Sequence, residues 1–239
     1  MNNLLIFGEI IVVFSVLLVC QRIFGKVGVI VWVSLATVLA NVITAKNAEV
    51  FGLSTAIGTV MFASTFLATD ILTEYYSKED AKKAIKIGLF SNVVLIVATQ
   101  IALLYTPSEF DYAHDAMKTL FSLNLRISIA SAVMYYIANM GDVYIFSKLK
   151  KKTGGKYLWL RNNVATVVCN CLENFGFIGL AFAGIYDFKT IMTIALSTSV
   201  IEAIVAVCDT PFLYVAGAIK RREAVKQEGS EADGKTEQV

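Results

Sequence analysis

"WLRNNVATVVCNCLENFGF", Trp159–Phe177, has the length and apolar content of a membrane helix, yet it carries Asn162, Asn163, Asn170 and Glu173. Lipid offers such groups no hydrogen-bond partner, so they are costly unless they face a bundle interior or a wet cavity. This one stretch sets the expectation for the whole chain. It predicts an all-α integral membrane protein whose helices enclose something polar.

The remaining sequence agrees. Of 239 residues, 56% are hydrophobic and 17% are charged, against about 25% charge in soluble domains. A bilayer-spanning helix needs roughly 20 apolar residues. Seven stretches qualify, at about 4–21, 27–45, 50–76, 84–106, 118–148, 160–186 and 189–219. The first lacks a basic leader and a small-residue cleavage site, so it reads as a retained helix rather than a signal peptide. Pro107 ends the fourth stretch, and Pro211 lies inside the seventh, where it predicts a kink.

Basic residues give the orientation. Arg22 and Lys26, then Lys78, Lys82, Lys83 and Lys86, fall in alternate loops. So do Lys148, Lys150, Lys151, Lys152, Lys156 and Arg161, followed by the C-terminal Lys220, Arg221, Arg222, Lys226 and Lys235. The opposite side has only Lys46, Lys118 and Lys189. Cytoplasmic loops are the basic ones, so the N-terminus is expected outside and the C-terminus inside. Residues 1–222 read as a single polytopic domain, and 223–239 as a disordered cytoplasmic tail. The loop "KLKKKTGGK" (Lys148–Lys156) reads as a topology anchor within reach of anionic lipid.

Several function classes are disfavoured. A net charge of +2 is too small to argue for a nucleic-acid partner. Cys20, Cys169, Cys171 and Cys208 all sit in apolar segments, and His114, the one histidine, lies in a polar loop. No spacing suits zinc, haem or an iron–sulfur cluster, so neither metal nor cofactor is expected. No glycine-rich phosphate loop and no nucleophile–base pair is visible, so an enzyme is not expected.

The polar residues inside the stretches fall in stripes. Asp70 and Glu74 are four apart on one face of the third. In the fifth, Asn124, Ser128, Ser131, Tyr135 and Asp142 lie within about 40° of one direction, with Asn139 about 60° away and Arg126 nearly opposite. In the sixth, Asn162, Thr166, Asn170 and Glu173 span roughly 80°, and in the seventh Thr198, Glu202 and Asp209 span about 40°. By depth, Asp70, Asp142 and Asp209 belong to the inner third, while Glu173 and Glu202 lie near the midplane. Central carboxylates on polar stripes are the expected marks of a transporter site. The inner aspartates have a duller reading, as partners of backbone amides or nearby Lys and Arg. Asn162 and Asn163 can equally cap their helix or meet headgroups, and Arg126 can be a structural partner for one acid.

Three blocks resemble a known family. "ATDILTEYYSKEDAKKA" (Ala68–Ala84), "GDVYIFSKLKKKTGGKYLWLRNN" (Gly141–Asn163) and "CDTPFLYV" (Cys208–Val215) are similar to signatures of the queuosine-precursor transporters, also called vitamin uptake transporters. The resemblance runs from about Phe66 to Ala216. It implies a multi-pass protein of the bacterial inner membrane that imports 7-deazaguanines for queuosine in tRNA. The candidates are 7-cyano-7-deazaguanine, 7-aminomethyl-7-deazaguanine and queuine. Relatives usually carry aspartate where Glu173 stands and lysine where Glu202 stands, so this chain departs from the family there.

With such a substrate, a carboxylate can accept the N1–H and N2 amino group together, and an asparagine can serve a carbonyl and a ring nitrogen. Asn170 and Glu173 are expected to read the heterocycle edge, with Asp142, Asn139 and Glu202 near it and Asp70 closing the inner side. Tyr135, Tyr136 or Phe175 are candidates for stacking. Glu74, Asp209 and Arg126 are candidates for coupling or gating. Energy then comes from a proton or ion gradient, from metabolic trapping, or from a partner. The alternative is a substrate-binding membrane subunit of an ATP-driven importer for a small polar heterocycle or vitamin. The small-residue run "GLSTAIGTVMFAS" (Gly52–Ser64) allows close packing within the bundle or in a homo-oligomer.

Overall fold

The computed structural model describes the backbone of residues 1–121 and 125–236, and the side chains of residues 1–121 and 127–225. Asn124 and the side chain of Arg126, two of the expected polar groups, lie outside the described residues.

The chain is a bundle of long helices: α1 (Asn2–Ile43), α2 (Thr59–Tyr75), α3 (Lys78–Leu104), the short α4 (His114–Phe121), α5 (Leu125–Lys152), α6 (Leu158–Phe182) and α7 (Phe188–Thr236). A hairpin of β1 (Asn47–Val50) and β2 (Leu53–Ala56) separates α1 from α2. Five helices (α1, α3, α5, α6 and α7) are long and apolar enough to cross a membrane. Their outer faces carry exposed apolar side chains such as Ile11, Val12, Phe90, Val97, Val200 and Val207. Such surface belongs against lipid rather than water.

The first two apolar stretches both fall in α1, which is broken at Gly25 (φ 58°, ψ −139°). That conformation is open to glycine and strained for residues with a Cβ. Just beyond it, a Cβ built on Gly28 would lie 2.3 Å from the carbonyl oxygen of Cys20. The two halves of α1 therefore meet at a contact only glycine permits. Gly28→Ala is expected to cost about 1–3 kcal/mol, read as a lower Tm and reduced membrane abundance. Gly8→Ala is the control, because a Cβ there meets nothing within 4 Å.

The apolar pattern puts the start of the third stretch near residue 50, but α2 begins at Thr59. Residues 47–56 pair as antiparallel strands, with Val50 opposite Leu53. The turn holds Phe51 and Gly52 at positive φ, 51° and 75°. Two successive positive-φ residues make a tight hairpin, which competes with helix here. The fifth stretch covers the end of α4 and most of α5, and residues 122–124 between them lie outside the described residues. The seventh continues as one helix through Pro211.

Helix α2 is the hub and packs against α1, α3, α5 and α7. Every residue from Ala63 to Thr73 is buried. Its hydroxyls are satisfied within the helix: Ser64 donates to the Met61 carbonyl at 2.6 Å, Thr65 to Phe62 at 2.7 Å, and Thr69 to Phe66 at 2.9 Å. At the α2–α3 corner, Ser77 caps α3 by accepting from the Asp80 N–H at 3.0 Å. Asp187 opens α7 and accepts from the Thr190 hydroxyl at 2.6 Å. That bond holds its carboxyl below the usual carboxylate range.

Candidate functional site

A cavity of about 820 Å³ opens at the end of the bundle that carries the β-hairpin. Its wall draws on almost every element: Asn41 and Thr44 at the end of α1, Ser54 of β2, Phe62 of α2, Asn92 of α3, Ser131 and Tyr135 of α5, Glu173, Asn174 and Phe177 of α6, and Thr198 and Glu202 of α7. Three of the sequence-predicted site residues are therefore brought together here: Glu173, Glu202 and Tyr135. Glu173 and Glu202 are close enough to interact electrostatically. The Asn174 amide donates to Glu202 Oε2 at 2.7 Å. Oε2 of Glu173 is buried and meets no partner among the described residues. One acid is thus already held by the protein, while the other presents an unused acceptor.

Of the three rings expected as stacking candidates, Tyr135 reaches the wall, with its hydroxyl accepting from Thr37 Oγ1 at 3.3 Å. Its ring meets that of Phe62 edge-on at 6.1 Å. Phe62 and Phe177 line the cavity, whereas Tyr136 and Phe175 do not. Phe175 packs instead in a small apolar cluster with Ile178 and Ile191.

The other predicted residues lie away from the cavity wall. Asn170 is buried one turn before Glu173, and is not on the wall. The helix has moved roughly 4.5 Å deeper there at 1.5 Å per residue, and Asn174 lies one turn closer to the cavity's end. Asn139 is spent on structure: its amide donates to the Tyr135 carbonyl at 3.0 Å, and its oxygen accepts from Thr65 at 3.5 Å.

Asp70, Asp142 and Asp209 form a second, fully buried group. Asp70 lies close enough to Asp142 and Asp209 for the acids to interact electrostatically. Asp142 accepts from Thr166 at 3.3 Å, and Asp209 accepts from Asn162 at 2.6 Å. Asn163 donates to Thr210 at 2.8 Å. Asn162 and Asn163 thus tie α6 to α7. Described Lys and Arg side chains form ion pairs with none of these three aspartates.

The acid with basic partners is Glu74. It pairs with Arg161 at 2.6 Å and with Lys150 at 3.0 Å, joining α2 to α5 and α6. The basic-residue pattern places Arg161 in a cytoplasmic loop, but it is 1% exposed and lies over the Phe146 ring. Helix α6 begins at Leu158, which carries Arg161 into the bundle with its first turn.

Asn92 and Asn174 are cavity residues that the stripes did not mark. Asn92 had a visible signal, as an amide within the otherwise apolar run "IGLFSNVVLIVA" (Ile87–Ala98).

A helical bundle with apolar outer faces encloses a cavity lined by apolar surface and a few polar groups, two carboxylates among them, an arrangement that suits a membrane transporter. The chain belongs to a family described as "Putative vitamin uptake transporter", whose sequence model matches residues 56–216. It is 34% identical over 216 residues to a Bacillus subtilis (strain 168) protein named "Probable queuosine precursor transporter", covering 90% of this chain and 94% of that one. A Haemophilus influenzae protein of the same name is 30% identical over 125 residues, covering 52% of this chain and 51% of its own. The family resemblance of the three sequence blocks therefore holds, and the protein is a multi-pass bacterial membrane protein. No solved structure matches it.

Proposed function

We propose that this protein imports queuosine precursors, the 7-deazaguanine bases, across the bacterial inner membrane. The observation that carries the reading is the cavity of about 820 Å³ with Glu173 on its wall. Small-molecule sites are clefts of this size with few, well-placed polar groups. The Glu173 carboxylate, with its Oε2 unpartnered, suits the N1–H and N2 amino group of a guanine-like edge, taken together in charge-assisted bonds. Tyr135, Phe62 and Phe177 supply ring surface beside it. Glu202, held by Asn174, sets a second acid beside it. Among the three candidate bases, the cationic 7-aminomethyl compound is expected to compete best.

In this reading the chain spans the membrane seven times. Helix α1 counts twice because Gly25 breaks it, and α2, at 17 residues, spans roughly 26 Å at 1.5 Å per residue. The N-terminus is outside and the C-terminus inside, as the basic residues require. The cavity then opens outward. The buried aspartates and the Glu74–Arg161 pair close the inner half, where coupling to a proton or ion gradient would act.

The test uses a bacterium that cannot make queuosine and has no importer of its own. It is supplied with 7-cyano- or 7-aminomethyl-7-deazaguanine or, in a host able to insert it, queuine. Queuosine or its inserted precursor in tRNA is expected only when this protein is present. Its absence with all three compounds, while the protein is in the membrane, would overturn the assignment.

A further inference from the structure

We propose that Asn92 is a specificity residue of the cavity, its amide pairing with a ligand edge that carries an N–H beside a ring-nitrogen acceptor, so that the free base is taken and its nucleoside refused. The inference rests on the reading of the cavity as a 7-deazaguanine site.

Helix α3 buries one narrow face, Ala81, Ala84, Ile85, Gly88 and Asn92, and turns apolar residues such as Phe90, Val93 and Val97 outward. Asn92 is the last residue of that face, and it lines the cavity. It is 1% exposed. Neither its Oδ1 nor its Nδ2 meets a hydrogen-bond partner among the described residues. Its neighbour Ser91, by contrast, is paired with Ser34 at 2.7 Å.

Burying an amide with both ends unmet costs more than the fold recovers from it. A leucine, which has the same branching and no polar atoms to satisfy, would be the more stable choice for the bundle alone. The residue makes physical sense where a ligand supplies the missing partners. Among the described residues of the cavity wall, Glu173 on α6 has the other buried side-chain polar atom without a partner. The two side chains offer different patterns: acceptors only from the carboxylate, a donor beside an acceptor from the amide.

A 7-deazaguanine has matching edges. Its N1–H and N2 amino group are donors for Glu173. Its N3 accepts and its N9–H donates side by side, which is the complement of an amide. In the nucleoside, N9 is bonded to ribose. The donor is gone, and the sugar occupies the space the amide needs. A site built to bond an N–H rejects analogues lacking it, because its own polar groups are then left buried and unpaired.

The experiment uses full-length protein in lipid nanodiscs, with 7-aminomethyl-7-deazaguanine and its 9-riboside as probes, followed by calorimetric titration and thermal unfolding. The wild type is expected to bind the base at least 100-fold more tightly than the riboside. Asn92→Leu is expected to keep or raise Tm while binding the base about 30-fold more weakly, roughly 2 kcal/mol. Asn92→Asp removes the donor to N3 and is expected to lose affinity similarly. Asn92→Ala opens space at N9 and should shrink the base-to-riboside ratio. Unchanged base affinity in Asn92→Leu and Asn92→Asp would overturn the assignment. So would a marked fall in Tm, which would mean the amide serves the fold. A wild type that binds no deazaguanine would overturn the cavity's substrate as well, and Asn92's role with it.

Discussion

Glu173→Gln is expected to reduce uptake of a 7-deazaguanine by about 100-fold with the protein still abundant in the membrane. The substitution keeps the shape of the side chain and changes only its hydrogen-bonding face. A carboxylate offers acceptors alone; glutamine turns one of them into an NH2 donor that meets the ligand's own N–H. One charge-assisted bond is lost, worth about 1.5–3 kcal/mol, and two donors are opposed in its place. A total near 3 kcal/mol is roughly 100-fold. The bundle should not suffer, because Oε2 of Glu173 has no partner to lose among the described residues. The measurement is queuosine in tRNA against substrate concentration, with membrane abundance checked for each variant. Glu202→Gln is the informative comparison. Glu202 already accepts from Asn174 at 2.7 Å, so its loss should reduce preference for the aminomethyl base more than uptake of the cyano base. Uptake that survives Glu173→Gln at full strength would leave a transporter and remove this contact.

The difference between those two acids shows where sequence reasoning stops. Helical periodicity could place Glu173 and Glu202 near the midplane because depth and direction follow from residue number alone. It could not say that Asn174 would bond Glu202, or that Asn170 would lie a turn away from the cavity. Those depend on where neighbouring helices end. The break in α1 was legible, since two apolar stretches flank the turn-like "RIFGKVG" (Arg22–Gly28) with its basic residues. The hairpin of residues 47–56 was not. Its small and apolar residues resemble the start of a membrane stretch, and only the positive φ of Phe51 and Gly52 reveals the turn. Asn92 was readable as an isolated amide in an apolar run, yet it belongs to no stripe. A stripe signals a wet face, whereas one unmet amide signals a single contact.

Arg161 gives the second large effect, on stability. Its guanidinium is 1% exposed and bound to Glu74 at 2.6 Å, with a second bond to the Lys156 carbonyl at 3.1 Å and the Phe146 ring against it. Removing the acid leaves that cation buried without its counter-charge. Breaking a buried pair from one side costs about 3–5 kcal/mol, a large share of the stability of any single domain. Glu74→Leu should therefore lower Tm steeply and deplete the protein from the membrane. Lys150 is only a partial substitute: it also reaches Glu74, at 3.0 Å, but its side chain is 35% exposed and can return to water when the acid is gone. Lys150→Ala should consequently cost far less than Glu74→Leu. The decisive comparison is the double variant Glu74→Leu/Arg161→Met. With both charges removed and apolar volume kept, the desolvation penalty vanishes with the attraction, and most of the lost Tm should return. A double variant as unstable as Glu74→Leu alone would show that the fold depends on the Glu74 contacts themselves rather than on neutralising Arg161. If stability returns while uptake does not, the pair linking α2 to α6 is needed for transport beyond folding.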